Sequence, residues 1–176
     1  MKEQKGVTVW FTGLPCCGKT TIAKKLYQIL KKQGYRIEHL DGDIVREDLT
    51  SDLGFSKEDR DENLKRITFV AKLLTRNDVI VLATFVSPYK ERREKSKKEI
   101  EDFLEIYVKC SVEECIRRDV KGMYKKALAG EIKHFTGVDD PYEEPTNPDI
   151  LIETEKETID ESVQKVFNKI QKLGYI

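Results

Sequence analysis

Short apolar runs alternate along this chain with longer stretches in which apolar residues recur every three or four positions. Five runs have strand length: Val7–Thr12, Tyr35–Leu40, Val79–Phe85, Phe103–Val108 and Ile150–Ile152. The third is almost continuously apolar, as expected of a strand covered on both faces. Between the runs lie helical patterns. One follows the first run and carries Ile22, Leu26, Ile29 and Leu30 on a single face before Gly34 stops it. Ser56-x-x-Asp59 opens a second, ending near Arg76. Pro88 opens a third, dense in charge, to about Ile100. Ser111-x-x-Glu114 and Thr158-x-x-Glu161 open two more by capping-box logic. The last has an apolar stripe of Ile159, Val163, Val166, Phe167, Ile170 and Leu173. Strands alternating with helices predict an α/β fold with a parallel sheet. Residues from about 118 to 148 break the pattern. They are polar, hold three glycines and three prolines, and read as a lid over a site. At 176 residues the chain is expected to form one domain, 1–176.

Between the first strand and the first helix stands Gly13-Leu14-Pro15-Cys16-Cys17-Gly18-Lys19-Thr20, which fits G-x-x-x-x-G-K-[ST] in the strand–loop–helix setting that motif requires. The glycines let the backbone wrap a polyphosphate, with successive N–H groups pointing at the anion. The helix N-terminus adds about half a positive charge. Lys19 reaches the outer phosphates and Thr20 offers its hydroxyl to magnesium. The expected ATP contacts are Gly13, Leu14, Pro15, Cys16, Cys17, Gly18, Lys19, Thr20 and Thr21.

Composition narrows the partners. Lys and Arg number 32, as do Asp and Glu, so no basic excess points to nucleic acid or an anionic membrane. No apolar stretch is long enough to span a bilayer, and Met1–Lys5 has no signal-peptide core. A cytoplasmic location is expected. The four cysteines lack zinc-site spacing and read as reduced thiols. Cys16 and Cys17 admit a sharper reading: a thiol at a helix start beside an anion site is activated, and its oxidation would block the nucleotide.

Further candidates fall at strand ends and on one helix face. Asp41-Gly42-Asp43 follows the second strand, at the edge where open parallel sheets bind ligands. It is either a turn or a carboxylate site for a proton or metal. Arg60 and Asn63 precede Leu64 and Ile67 by four residues each, which puts both on the inward face of their helix. An inward Arg needs an anion, from a ligand or from a protein carboxylate. Ser87 either caps the third helix or lies beside a transferring phosphate. Phe55 and Phe135 sit in Gly-containing polar stretches, as base-stacking rings or as loop anchors.

Taken in order, several segments resemble the adenylylsulfate kinase family: Phe11–Leu14 with the phosphate loop, Leu40–Asp43 with Val45-Arg46, Leu53–Ser56 with Glu58–Arg60 and Glu62-Asn63, Phe85–Tyr89, and Asp119–Ala127 through Ala129–Lys133 to Phe135–Gly137. The resemblance spans almost the whole chain. It implies a three-layer α/β/α P-loop NTPase fold with a five-stranded parallel sheet and a lid. It implies Mg2+ with ATP, and transfer of the γ-phosphoryl group to the ribose 3′-hydroxyl of adenylyl sulfate. By the same resemblance Lys19, Asp43 and Ser87 are catalytic, and Thr20 and Asp43 hold the metal. Asp43, Arg46, Phe55, Arg60, Asn63, Val86, Ser87, Lys121, Lys133 and Phe135 contact the acceptor. A homodimer and a functional link to ATP sulfurylase are also implied. The chain departs from the pattern twice: Pro15-Cys16-Cys17 stands where relatives usually carry Ser-Gly-Ala, and His134 where glycine is usual. The second is expected to be a tolerated substitution. Two other readings stay open, a P-loop kinase for another small nucleotide or hydroxyl acceptor and a non-catalytic nucleotide switch.

Overall fold

The computed structural model describes residues 3–176; of the N-terminal segment read above, Met1 and Lys2 lie outside the described residues. Five strands form one parallel sheet in the order β2-β3-β1-β4-β5. They are β1 (Val7–Thr12), β2 (Ile37–Asp41), β3 (Ile80–Thr84), β4 (Phe103–Lys109) and β5 (Ile150–Glu153). Each matches a run identified from hydropathy, with ends shifted by one or two residues. The helices are α1 (Lys19–Lys32), α2 (Gly42–Glu47), α3 (Lys57–Thr75), α4 (Lys90–Glu99), α5 (Val112–Arg118), α6 (Met123–Leu128) and α7 (Ile159–Lys172).

Strand alternation sorts the core into two layers. Val7, Val9 and Phe11 of β1 face one side with Leu82, Leu104, Ile106 and Ile152, where α1 and α7 supply Ile22, Leu26, Val163, Val166 and Ile170. Trp10 points the other way, with Val81, Ala83 and Phe85, onto Leu64, Ile67 and Ala71 of α3. The β1–β3 register pairs Val9 with Leu82 and Trp10 with Ala83, so large and small residues alternate across the ladder. Gly6, just before β1, packs against α3 so tightly that a Cβ would lie 1.8 Å from Thr75 O.

The predicted caps are present. Ser56, Ser111 and Thr158 accept from the backbone N–H of Asp59, Glu114 and Glu161, and Thr158 completes a capping box. Two helices were not anticipated. In α2, Asp41 is the N-cap and accepts from Asp43 N, so the Asp-Gly-Asp turn opens a helix. In α6, within the stretch read as patternless, Tyr124 and Ala127 are buried. Tyr124 and Phe135 meet edge to face at 4.9 Å within the α1–α7 core layer. Both helices have six residues, too short to show a periodic stripe. The charged helix α4 also has an inward face: Arg92, Arg93 and Ser96 are buried, with Ser96 Oγ 2.8 Å from Thr68 Oγ1 on α3.

Candidate functional site

The C-terminal ends of β1, β2 and β3 converge on one edge of the sheet, and the candidate residues collect there. The phosphate loop bends away from β1 at Gly13, whose φ is 154° and whose Cβ would meet Val108 O at 2.4 Å. Gly18 has φ 109° and is the residue from which α1 starts. Lys19 is buried, and its ammonium donates to Gly13 O at 2.9 Å and Leu14 O at 2.7 Å. The lysine thus braces the loop from within, at the place where outer phosphates would lie.

The carboxylate beside Thr20 is Asp41. Thr20 Oγ1 donates to Asp41 Oδ2 at 2.9 Å, and Thr84 Oγ1 donates to the same oxygen at 2.9 Å. His39 Nε2 lies 3.0 Å from Thr84 Oγ1. Burial alone would raise the Asp41 pKa, but the bonds from Thr84, Thr20 and Asp43 N hold it below the ordinary value. The two residues expected from sequence to hold the metal, Thr20 and Asp43, have different partners in the structure. Asp41 is the neighbour of Thr20, whereas Asp43 is exposed and its carboxylate pairs with Lys121 of the lid. Thr20, Asp41 and Asp43 are hard oxygen donors of the kind magnesium takes. Among the described residues no group of three or more His, Cys, Asp or Glu side chains forms a protein-only metal cage.

Asp41 supports a pH prediction. Its folded pKa lies below the unfolded one, so its contribution is complete at neutral pH and is lost as the pH falls through the folded value. Asp41→Asn is expected to lose about 2 kcal/mol at pH 7, the scale of hydrogen bonds to a buried charge. The gap between the variant and the unmodified protein should narrow below pH 3.8. Urea unfolding at several pH values measures it.

Across the edge, two guanidinium groups meet one ring. Arg46 sits 4.4 Å and Arg60 5.8 Å from the Phe55 centroid. Burial, then the Arg60 charge, lower the Arg46 pKa. Two cations drawn this close leave a place for an anion. Arg60 also donates to His134 O at 2.5 Å and to Thr136 Oγ1 at 3.3 Å, which ties α3 to the lid. Asn63 is buried as its helix position predicts, and its Oδ1 has no protein hydrogen-bond partner. Phe55 is 54% exposed, while Phe135 is 8% exposed and covered by Tyr124, so the two rings differ in setting. Lys133 is exposed. Val86 lies at the end of β3, its carbonyl accepting from Thr12 Oγ1 at 2.7 Å.

Ser87 caps no helix; Tyr89 is the N-cap of α4. The Ser87 side chain is buried, and its Oγ accepts from Trp10 Nε1 at 3.0 Å. A cavity of about 650 Å3 opens beside this site rather than within it. Tyr107, Lys109, Ser111, Tyr142 and Glu155 line it, and only Leu14 of the expected contacts reaches it.

Both departures from the family pattern occupy left-handed backbone, Cys16 at φ 62° and His134 at φ 57°. Glycine adopts that region freely and other residues at a cost of about 1–2 kcal/mol. Cys16→Gly and His134→Gly should each raise stability by about 0.5–1 kcal/mol after allowing for the looser unfolded chain. Denaturant midpoints test this. At Cys16 burial pushes the thiol up, against activation at that position. The four cysteines are free thiols.

Sequence reasoning missed Asp41 as the partner of Thr20, although the triplet Asp41-Gly42-Asp43 was flagged. It also missed Arg118, which donates to Cys17 O at 3.4 Å and to Thr154 Oγ1 at 3.0 Å, joining α5 to the phosphate loop and β5. Nothing in the local pattern distinguishes Arg118 from Arg117, which is exposed.

The site's arrangement has counterparts. Residues 5–153 match the family model described as adenylylsulphate kinase. An adenylyl-sulfate kinase of Picosynechococcus is 59% identical over 99% of this chain and 98% of its own length. One from Halothermothrix orenii is 56% identical over 100% of this chain and 95% of its own length. The solved structure of the Mycobacterium tuberculosis APS kinase CysC in complex with AMPPNP and APS superposes with a TM-score of 0.92 at 42% identity, covering 96% of this chain and 99% of that one. With full-length likeness in sequence and fold, and the phosphate loop in place after β1, the chain belongs to the adenylylsulphate kinase family.

Proposed function

We propose that this kinase moves the γ-phosphoryl group of ATP to the ribose 3′-hydroxyl of adenylyl sulfate, giving 3′-phosphoadenylyl sulfate for sulfate activation, with the following division of labour. ATP lies along Gly13–Thr21, and Lys19 leaves the loop carbonyls for the β- and γ-phosphates. Magnesium, when bound, neutralises charge between those phosphates; Thr20 and Asp41 would hold it, with Asp43 at its edge. Adenylyl sulfate lies across the sheet edge. Its phosphosulfate meets Arg46 and Arg60, its base stacks on Phe55 beside the Phe135 wall, and Asn63 Oδ1 receives a donor from it. Val86 and Ser87 form the floor. Asp43 orients the 3′-hydroxyl and accepts its proton as the oxygen bonds to the γ-phosphorus and ADP departs. Lys121, released from Asp43, and Lys133 close over the anions and exclude water.

The observation that carries this reading is the convergence of Arg46 and Arg60 on the Phe55 ring, with the buried Asn63 Oδ1 left unpartnered on the same helix as Arg60. The Trp10 bond to Ser87 Oγ favours a structural role for that hydroxyl over direct participation. Ser87→Ala should therefore keep turnover within about tenfold of the unmodified enzyme, since direct in-line transfer needs no phosphoenzyme. Among the described residues no helix is long and apolar enough to cross a membrane. We place the enzyme in the cytoplasm. A homodimer working beside a sulfurylase completes the proposal. A coupled ADP-release assay with ATP, magnesium and adenylyl sulfate, run against AMP as acceptor, tests it. Equal turnover with AMP would remove the acceptor assignment.

A further inference from the structure

Arg93 has no role in the scheme above, yet it is bound on every side. It lies on α4 and is 2% exposed. Nε donates to Glu105 Oε1 on β4 at 3.0 Å, Nη1 to Ser87 O at 2.5 Å, and Nη2 to Glu143 O at 2.6 Å. The Tyr142 ring centroid lies 5.7 Å from its Cζ. A buried guanidinium requires a counter-charge, which Glu105 provides. Charge balance alone does not call for the two carbonyl bonds; a lysine facing Glu105 would satisfy it. What the planar fork adds is a fixed spacing between two main-chain carbonyls from different segments.

Those segments are informative. Ser87 has φ 48°, a left-handed conformation that a serine holds only when its surroundings impose it. Its side chain is gripped by Trp10, and the preceding Val86 O by Thr12. Glu143 N donates to Pro88 O at 2.9 Å, and the Glu143 carboxylate accepts from Lys90 N at 2.7 Å. Tyr142 and Thr12 hydroxyls lie 2.9 Å apart. The turn that ends β3 and the segment returning from the lid are thus fastened together, and the Arg93 side chain is bonded to both main chains.

We propose that Arg93 is a positioning residue for the acceptor nucleotide: by holding Ser87 O and Glu143 O in one fork it keeps the strained Val86–Ser87 turn in place on the acceptor side. The inference rests on the assignment of Val86 and Ser87 to that side. Lys19 and Gly18 make no bond to the fork, and the phosphate loop meets the turn through the long bond from Gly13 N to Val86 O at 3.4 Å, so the ATP half of the site should be disturbed far less than the acceptor half.

Two variants separate the fork from the charge. Arg93→Lys keeps a cation opposite Glu105 but cannot span both carbonyls. Glu105→Gln removes the counter-charge and leaves both carbonyl bonds. Steady-state kinetics, calorimetry with a nonhydrolysable ATP mimic, and thermal unfolding are read on each. A small displacement of a binding wall costs about tenfold to a hundredfold, so Arg93→Lys should raise KM for adenylyl sulfate by at least about tenfold. The Kd of the ATP mimic should stay within about twofold. Glu105→Gln should lower Tm while acceptor KM stays within about threefold. Parallel changes for both nucleotides in Arg93→Lys, or an unchanged acceptor KM, would overturn the proposal. So would an acceptor KM in Glu105→Gln that rises about tenfold, which decides the matter even if Arg93→Lys does not fold. If the unmodified protein gave no turnover with adenylyl sulfate, the assigned activity would fall instead.

Discussion

Lys19→Met is expected to cut turnover by about two to four orders of magnitude, the scale of removing one group that stabilises charge in the transition state. The change is informative because Lys19 has two tasks. Without nucleotide its buried ammonium donates to Gly13 O and Leu14 O, so it is part of the loop's own framework. Methionine keeps the stem and removes the charge. Losing a buried cation and its desolvation penalty roughly offsets losing two bonds to carbonyls, so Tm should move by only a few degrees. A large fall in kcat with an intact fold, measured by ADP release and thermal unfolding on the same sample, separates the catalytic task from the structural one. Near-full activity would remove Lys19 from the chemistry.

Asp43→Asn should have an effect of similar size, about two to four orders of magnitude on kcat, because an amide cannot accept the hydroxyl proton. Here the fold is hardly at stake. Asp43 is exposed, and its contact with Lys121 is a surface pair of the kind that contributes little to stability. The substitution should therefore move Tm by no more than about 2–4 °C, given that surface pairs are worth at most about 1 kcal/mol. Asp41→Asn should do the reverse, lowering Tm clearly, and the contrast tests whether the two carboxylates of one triplet have been told apart. Comparable stability losses for both would mean that they have not.

Much of this was legible in the sequence, for definable reasons. Strands β1 and β3 announced themselves because both faces are covered, leaving runs of apolar residues and threonine with no charge to interrupt them. Helices α3, α5 and α7 were bounded by side chains that cap them. Asn63 was placed inward by its spacing from Ile67 alone. What could not be read were contacts made by residues far apart in sequence. Asp41 and Asp43 are chemically identical in a sequence; only the cap geometry turns one toward Thr20 and the other toward Lys121. Arg93 was lost in a helix where every residue but Ser96 is charged and nothing local marks the one arginine that faces Glu105. Phe135 was read as a loop ring because its anchor, Tyr124, lies on a helix too short to leave a periodic trace.

Lys19 rests on its own loop, Thr20 on Asp41, Asp43 on Lys121 and Arg60 on the His134 carbonyl. Each of these four groups, all assigned to substrate or metal, already has a substitute ligand from the protein. Association is then a swap, and its free energy is the difference between two sets of bonds. Ground-state affinity stays modest however many contacts the complex displays, and the unliganded protein is spared the self-repulsion of naked cations around a vacant cleft.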